Sequence, residues 1–364
     1  MTAMIPPAYI TDAGPQGMPG AERPLDLIDL SLNESRFGAS PLAVAAAAAR
    51  AQRLSLYPDP ASTDLRAALA RHTGFEPEML VCGNGSEELL DVLVRLHCRP
   101  GDEVLIDQHG FIGFHLFAMR SGATLVRAPD RAMTTDVDAL VAAITPRTRV
   151  IFLANPNNPT GTWIPAADLA RLVAAVPSTI VLVIDSAYAE YVDGVDYDDG
   201  ARFVAGRENV VMARTFSKAY GLAAVRVGWC YASARMVRLI NRVRGVGNVN
   251  ALAQAAAIAA LSDQDHLAAV RRATAAARTQ LREGLTRLGC HVWPSVTNFL
   301  LVRLPEGCNR SPEQIAASLL ADHNILIRPT TDYGITQSLR ITVGTAAENE
   351  TLLAGVAQVL LSGA

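Results

Sequence analysis

Short apolar runs alternate with longer segments of mixed polarity between about residues 40 and 240. The runs cover residues 79–82, 150–154, 180–184 and 209–213. Uninterrupted apolar runs of this length are typical of strands that are buried on both faces of a parallel sheet. The segments between them are long enough for helices. The pattern therefore predicts an α/β fold in which a large, mostly parallel sheet carries helices on both faces.

The pattern changes after about residue 237. Long helices are predicted as far as residue 287, followed by a smaller α+β domain with strands near Val292 and at 299–304, 325–327 and 339–343 and helices at 312–322 and 346–361. The predicted division is an N-terminal arm at 1–30, a large domain at 31–245, interdomain helices at 246–282 and a small C-terminal domain at 283–364.

Two alanine-rich stretches, 43–51 and 251–261, are predicted to be buried helices, the first begun by Ser40-Pro41. Neither is long enough to span a bilayer, and residues 1–24 lack the continuous apolar core of a signal peptide. The sequence thus predicts no membrane association.

A lysine follows the apolar run at 209–213, where ligands of an α/β sheet bind. Lys218 can form an imine with an aldehyde, and Thr215, Ser217 and Arg226 would give the aldehyde's carrier a phosphate site. These residues imply pyridoxal 5'-phosphate, held as a covalent Schiff base on Lys218. A surface lysine on a turn is the alternative.

The run at 180–184 ends in a carboxylate, Asp185. A carboxylate at the end of a buried strand is costly unless it is paired, and a protonated pyridine nitrogen is a suitable partner. Tyr188, three residues on, is placed to hydrogen-bond the cofactor's phenolic oxygen. The alternative for Asp185 is the N-cap of a following helix.

Two further loops follow apolar runs. The turn Asn-Pro-Asn-Asn-Pro-Thr-Gly at 155–161 is made rigid by its prolines and suits a contact to the ring hydroxyl, although a plain loop explains it as well. The segment 83–88, Gly-Asn-Gly-Ser-Glu-Glu, precedes a predicted helix and suits an anion, although a capped helix start is an equally good explanation.

Together these segments resemble the fold-type I pyridoxal phosphate enzymes of the aspartate aminotransferase superfamily, and most of all its histidinol-phosphate aminotransferases. The resemblance runs from about residue 31 to about residue 350, and further motifs that carry it are Leu-Asn-Glu at 32–34, Tyr-Pro-Asp-Pro at 57–60, Asn-Phe-Leu-Leu-Val-Arg at 298–303 and Leu-Arg-Ile-Thr-Val-Gly at 339–344. It implies a transaminase that moves an amino group between a donor of the histidinol phosphate type and 2-oxoglutarate.

The resemblance also implies roles for individual residues. Lys218, Asp185 and Tyr188 would be catalytic, and Lys218 would shuttle the proton between substrate carbon and cofactor. The cofactor would be held by Gly85, Ser86, Glu87, Phe111 (stacked on the ring), Asn158, Asp185, Tyr188, Thr215, Ser217, Lys218 and Arg226, with Tyr57 reaching the neighbouring subunit's cofactor in a homodimer with shared active sites. The substrate would be bound by Arg340, Arg328, Asn33 and Asn158.

The two substrate-side arginines differ in their own surroundings. Arg340 lies between apolar residues in a strand-like alternation, and a buried arginine needs an anion, either a substrate carboxylate or a local Asp or Glu. Pro329 directly follows Arg328 and marks a turn, so a solvated loop arginine is the alternative there.

The chain departs from the family pattern near its substrate mouth. Ser35-Arg36-Phe37 stands where the family usually has Asn-Pro-Tyr, and the N-terminal stretch, where Tyr9 could replace a substrate-side tyrosine, is shortened. The added charge of Arg36 motivates a second hypothesis, an aminotransferase for an aromatic or specialised-pathway amino acid. A third hypothesis is a decarboxylase of the threonine-phosphate type, and a fourth is a non-catalytic effector module.

Composition limits the remaining possibilities. The net charge is −3 and no basic stripe is present, which argues against nucleic acid as a partner. The five cysteines are scattered and lack C-x-x-C spacing, so we expect free thiols, no metal site and a cytoplasmic location. The expected partners are a small amino donor and a 2-oxo acid.

Overall fold

The computed structural model describes residues 26–361, so most of the predicted N-terminal arm, with Tyr9, lies outside the described residues. The strands are β1 Ile28–Asp29, β2 Leu80–Gly83, β3 Glu103–Asp107, β4 Thr124–Ala128, β5 Asp130–Arg131, β6 Thr134–Thr135, β7 Thr148–Ala154, β8 Val181–Asp185, β9 Val210–Thr215, β10 Gly228–Tyr231, β11 His291–Val292, β12 Phe299–Arg303, β13 Ile325–Leu326, β14 Arg328–Pro329 and β15 Ser338–Thr342. The α-helices are α1 Pro41–Ala51, α2 Thr63–Thr73, α3 Ser86–His97, α4 Gly113–Arg120, α5 Val137–Ala142, α6 Ala166–Ala175, α7 Ala234–Val243, α8 Ala251–Ser262, α9 Gln264–Arg287, α10 Pro312–His323 and α11 Ala346–Leu361.

Seven strands form the large sheet in the order β2-β10-β9-β8-β7-β3-β4, and β10 alone runs against the others. Alternate residues of the central strands enter two separate cores. Ile151 and Leu153 of β7 pack on one face of the sheet, whereas Val150 and Phe152 pack on the other. This is the alternation that a strand covered on both faces requires. The predicted α/β fold with a mostly parallel sheet is confirmed.

A second, antiparallel sheet has the order β11-β12-β15-β14, and α9, α10 and α11 pack around it. The presence of a smaller α+β domain beside the large sheet, as predicted, is confirmed. β1 pairs in parallel with β13 in a separate two-stranded sheet, and Leu30 is buried in this same core, so the chain just before residue 31 is attached to the small domain. Helix α9 is continuous across residues 282 and 283. The domain boundaries named above stay a prediction.

One of the two alanine-rich helices is less buried than predicted. Helix α8 is buried along the face that carries Ala253 and Ala257, as expected. Helix α1 buries Ala43 and packs on the outside of α8, which leaves Leu42 and Val44 54% and 58% exposed. The prediction of a buried helix was therefore wrong for α1, because it packs against α8 on one side and leaves other faces open to solvent. Within residues 26–361 no helix has both the length and the apolar character to cross a membrane.

Candidate active site

The predicted site residues meet at one edge of the large sheet. Asp185 is the last residue of β8, and Asn158, Lys218 and Phe111 follow β7, β9 and β3, which are neighbours in the sheet. The ladder pairs Asp185 with Ala154 on one side and with Ala213 on the other. Parallel strands end on the same side of a sheet, so these four residues are carried to a common edge.

Lys218 is half-buried, and its amine faces two other parts of the predicted site. Nζ donates a 3.4 Å hydrogen bond to the carbonyl of Leu32 and lies 5.6 Å from the ring centre of Tyr188. Burial, reinforced by the positive charge of Arg340, lowers the pKa of the Lys218 amine to about 8. At neutral pH part of this amine is neutral and can act as a base or nucleophile.

Asp185 carries a buried carboxylate that is incompletely paired. Its Oδ1 atom has no hydrogen-bond partner within the described residues. Burial raises the pKa of Asp185 to about 7, against opposing contributions from the Ala187 N–H and, less, from Lys218. A buried carboxylate oxygen of this kind suits a cationic N–H donor, which is what a protonated pyridine nitrogen offers.

Tyr188 and Asn33 are brought into contact although 155 positions separate them. Asn33 Nδ2 donates a 2.9 Å hydrogen bond to the Tyr188 hydroxyl, whose ring packs edge-to-face on Phe299 at 5.1 Å. Burial raises the pKa of Tyr188 above its ordinary value, so the phenol stays protonated and can donate in turn.

Arg340 is buried in β15 and points to the turn that follows β7. Nη1 donates to Asn158 Oδ1 at 2.7 Å, and Nη2 donates to the carbonyl of Ser31 at 2.5 Å. Among the described residues no Asp or Glu forms an ion pair with Arg340, and its Nε atom has no hydrogen-bond partner. A buried guanidinium without a carboxylate partner suits an anionic group of a substrate.

The predicted phosphate residues also converge. Thr215 Oγ1 donates to Ser217 Oγ at 3.0 Å, and Arg226 Nη1 lies 3.5 Å from the same Ser217 oxygen. A Cβ atom placed on Gly85 would lie 2.7 Å from Arg226 Nη2, and one on Gly228 would lie 2.3 Å from the backbone nitrogen of Ser86. The start of α3 is therefore pressed against this cluster, and its first N–H groups provide further anion donors.

Glu87 places a negative charge beside the positive charge of Arg226 in this cluster. Its carboxylate accepts a 3.4 Å hydrogen bond from Arg226 Nη2, and the Arg226 and Glu87 side chains are 40% and 55% exposed. Such a long, solvated pair is weak, so a phosphate can compete for the guanidinium. The group of Glu87 that suits a bound phosphate is its backbone N–H in the first turn of α3.

Three predicted residues have a less direct relation to this group. Phe111 packs edge-to-face on Phe114 at 5.5 Å, which fixes its ring just beyond β3. Arg328 lies in β14 directly opposite Arg340 of β15, rather than in a solvated loop, and its Nη2 donates to Asp332 at 2.5 Å. The structure leaves Tyr57 apart from the other site residues, with 97% of its surface exposed.

The model of the family "Aminotransferase class I and II" matches residues 26–356. The chain belongs to this family. It is 41% identical over 356 residues to a histidinol-phosphate aminotransferase of Rhodopseudomonas palustris (strain TIE-1), covering 97% of each chain. It is 43% identical to the enzyme of that name from Maricaulis maris (strain MCS10), covering 96% and 97%. The crystal structure of histidinol-phosphate aminotransferase from Sinorhizobium meliloti in complex with pyridoxal-5'-phosphate superposes with a TM-score of 0.87 at 33% identity, covering 93% and 92%.

Two features of this aminotransferase were missed in the sequence. The first is that Lys218 is the only lysine in the chain, every other basic residue apart from histidine being arginine. A residue count would have singled it out. The second is that Ser31 and Leu32 contribute to the site through main-chain carbonyls. A carbonyl contact does not depend on the side chain, so residue types gave no indication of it.

Proposed function

We propose that this protein is a pyridoxal phosphate-dependent aminotransferase that takes the amino group of histidinol phosphate and passes it to 2-oxoglutarate. The observation that carries the proposal is the pair of Lys218, with its lowered pKa, and Asp185, with its unpaired buried oxygen, at the same sheet edge. The full-length likeness to histidinol-phosphate aminotransferases, one of them solved with pyridoxal-5'-phosphate, supports both the cofactor and the donor.

The bound cofactor supplies an electron-withdrawing ring that stabilises negative charge at the substrate's α-carbon. Asp185 would keep the ring nitrogen protonated, and Asn158 and Tyr188 would bond the ring oxygen. Phe111 would lie against the ring face. The phosphate would be held by the cluster at the start of α3, namely Gly85, Ser86, the Glu87 N–H, Thr215, Ser217 and Arg226.

Lys218 would move the proton at the α-carbon. A base works best when its pKa lies near the working pH, and an amine with a pKa of about 8 meets that condition far better than an ordinary lysine. The Leu32 carbonyl accepts a hydrogen bond from Lys218 Nζ, and this bond orients the amine within the site. Asn33, through its bond to Tyr188, would help to orient the phenol towards the ring.

Arg328 and Arg340 lie opposite each other on adjacent strands and would receive the anionic groups of the substrates. Arg340 would clamp the α-carboxylate of glutamate bidentately, and Arg328 on the adjacent strand would bind the phosphate of histidinol phosphate. Adjacent strands hold directly opposite residues on the same face of a sheet, so both cations would be available to one bound substrate. A donor and an acceptor of different shape can thus use the same site in turn.

An aromatic donor is the second candidate, and the observation behind it is the arginine at the substrate mouth. Arg36 forms an ion pair with Glu348, so the charge that sets this segment apart is locally compensated. The histidinol phosphate assignment is favoured for that reason. Comparison of kcat/KM for histidinol phosphate, phenylalanine and tyrosine decides between the two.

A single half-reaction tests the function. Histidinol phosphate added without an oxo acid should shift the visible absorbance of the cofactor to shorter wavelength and yield the corresponding ketone. With threonine phosphate, which carries a carboxylate, release of carbon dioxide without formation of an oxo acid would identify a decarboxylase instead. Hydride reduction before the addition should attach the cofactor to Lys218, and with no other lysine present a Lys218→Ala variant is a clean control. An unchanged spectrum with histidinol phosphate would exclude this donor.

We also propose that the active form is a homodimer. Tyr57 and its apolar neighbours Leu54 and Leu56 are exposed, and Val246 beside them is 94% exposed. Gly247 lies against Pro58, so these residues form one surface. Contiguous exposed apolar residues of this kind are typical of an interface.

A cytoplasmic location is proposed as well, supported by five free thiols of which four are buried.

A further inference from the structure

A short segment before α1 crosses the candidate active site. We call residues 31–37 the strap. Three consecutive strap residues contact the site: the Ser31 carbonyl accepts from Arg340 Nη2 at 2.5 Å, the Leu32 carbonyl accepts from Lys218 Nζ at 3.4 Å, and Asn33 Nδ2 donates to the Tyr188 hydroxyl at 2.9 Å. The strap therefore touches the proposed base, the proposed ring-hydroxyl ligand and the proposed carboxylate clamp at once.

The strap takes its position from the small sheet. The Asn33 N–H donates to Thr342 Oγ1 at 2.9 Å, and Asn298 Nδ2 donates to the carbonyls of Asn33 at 3.0 Å and Glu34 at 3.3 Å. Asn33 has a φ of +58°, a left-handed conformation that an asparagine tolerates but that the surroundings must maintain. The conformation that aims Asn33 at Tyr188 thus depends on contacts around it.

Arg36 supplies the next fixed point of the strap. Its Nε atom lies 3.1 Å from Glu348 Oε1 and 3.3 Å from Oε2, and its Nη2 also donates to Oε1. Glu348 is in turn fixed in the first turn of α11, where its Oε2 accepts the Thr345 N–H at 2.8 Å. The two side chains are 24% and 18% exposed. This is a multidentate, partly buried pair on a supported carboxylate, the geometry in which an arginine ion pair has most effect.

We propose that the Arg36–Glu348 ion pair is a latch that positions the strap, and through it Asn33 and the carbonyls of Ser31 and Leu32, over Lys218, Tyr188 and Arg340. The proposal rests on the proposed function. It makes Arg36 a positioning residue, because its guanidinium already binds Glu348 at several atoms and is not free to bind substrate.

Kinetics of the holoenzyme test the latch. Arg36→Gln and Glu348→Gln should each lower kcat/KM about tenfold or more, since small misplacements of site groups carry losses of this size. The double variant should lose no more than either single one, because both remove the same interaction. Arg36→Lys, which keeps the charge but not the multidentate contact, should lie between. Arg95→Gln, which removes an arginine paired with Asp91 at the far end of α3, should change kcat/KM by no more than about twofold.

Hydrogen exchange provides a readout that does not require turnover. In Arg36→Gln the amides of residues 31–37 should exchange faster than in the wild type, whereas Arg95→Gln should leave them unchanged. If the wild type fails to convert histidinol phosphate but these amides respond, the proposed function fails and the latch stands. The latch is overturned if strap exchange is unchanged in Arg36→Gln. It is also overturned if Arg36→Gln raises only the KM of the donor while Glu348→Gln does not, since Arg36 would then bind substrate directly.

Discussion

Arg340 Nη1 lies 2.7 Å from Asn158 Oδ1, and this hydrogen bond joins the small sheet to the turn that follows β7 of the large sheet. Arg340, the proposed carboxylate clamp, is thus in direct contact with Asn158, one of the two residues proposed to bond the ring hydroxyl. A second bond to the Ser31 carbonyl fixes the other end of the guanidinium. These two bonds use two of the five N–H donors of Arg340 and fix the orientation of its guanidinium. The remaining donors can bind an anion.

Replacement of Arg340 by lysine should therefore be severe although the charge is kept. An ammonium group cannot contact Asn158, Ser31 and a carboxylate in one plane, so we expect kcat/KM for glutamate to fall by about a hundredfold. The rate at which glutamate alone changes the visible absorbance of the bound cofactor, followed against glutamate concentration, measures this. Arg303→Lys, on the exposed end of β12, is the matched control. Equal effects of the two substitutions would contradict the clamp.

Arg340 should also influence the titration of Lys218. Burial is the larger cause of the lowered Lys218 pKa and the charge of Arg340 is the next, so Arg340→Gln should move that pKa up from about 8 without restoring the ordinary 10.5. The rate at which an amine-reactive reagent acylates Lys218 in the cofactor-free protein, followed against pH, reports the shift. Because Lys218 is the only lysine, the N-terminal amine is the one other target. An unmoved midpoint would show that the two charges are not coupled.

Asp185→Asn should remove the charge that would keep the ring nitrogen protonated. We expect turnover to fall by about a hundredfold or more, a loss typical of a deleted electrostatic contact in an active site. The visible absorbance of the bound cofactor should remain measurable, since Lys218 and the phosphate cluster are unchanged. Kinetics and cofactor titration together separate a loss of chemistry from a loss of binding. Retained wild-type turnover would contradict the assigned role.

The same substitution should change how the stability of the cofactor-free protein depends on pH. The pKa of Asp185 is about 7 when folded, against an ordinary 3.8, so between these values the folded state holds the extra proton. The contribution of Asp185 to the free energy of unfolding must then fall as pH rises from about 4 to about 7. Urea unfolding measured at about pH 5 and about pH 8 gives the free energy of unfolding of both proteins. The value for Asp185→Asn, relative to that of the wild type, should be higher at about pH 8 than at about pH 5. A constant difference between the two proteins would contradict the raised pKa.

The site residues at the edge of the large sheet could be predicted from the sequence, whereas the contacts of the strap could not. Lys218 and Asp185 follow apolar runs whose burial on both faces identifies them as parallel strands, and parallel strands end together. The contacts of Ser31 and Leu32 use main-chain carbonyls and give no side-chain pattern. Arg36 and Glu348 are 312 positions apart, and nothing local to either residue indicates the other. Long-range pairs of this kind become visible only when the fold brings them together.

The exposure of Tyr57 leads to the last prediction, which concerns a site shared between subunits. If Tyr57 of one subunit serves the cofactor of the other, then Tyr57→Ala and Lys218→Ala damage different parts of the same site. A hybrid dimer of the two variants should contain one site with both defects and one with neither. Each variant alone should lose activity, and mixing the two under conditions of subunit exchange should therefore restore part of it.

The size of the recovery and its control make this test specific. Random exchange of equal amounts makes about half of all dimers hybrid, each with one intact site, so about a quarter of the wild-type activity per site should return. Lys218→Ala mixed with Asp185→Asn should restore none, because both residues would serve the cofactor of their own subunit and each site of that hybrid keeps one defect. Complementation in the first mixture and none in the second would place Tyr57 across the interface. No recovery in either, with exchange verified by mass, would mean that Tyr57 acts within its own subunit or not at all, and the exposed surface around it would then have to be explained without a shared active site.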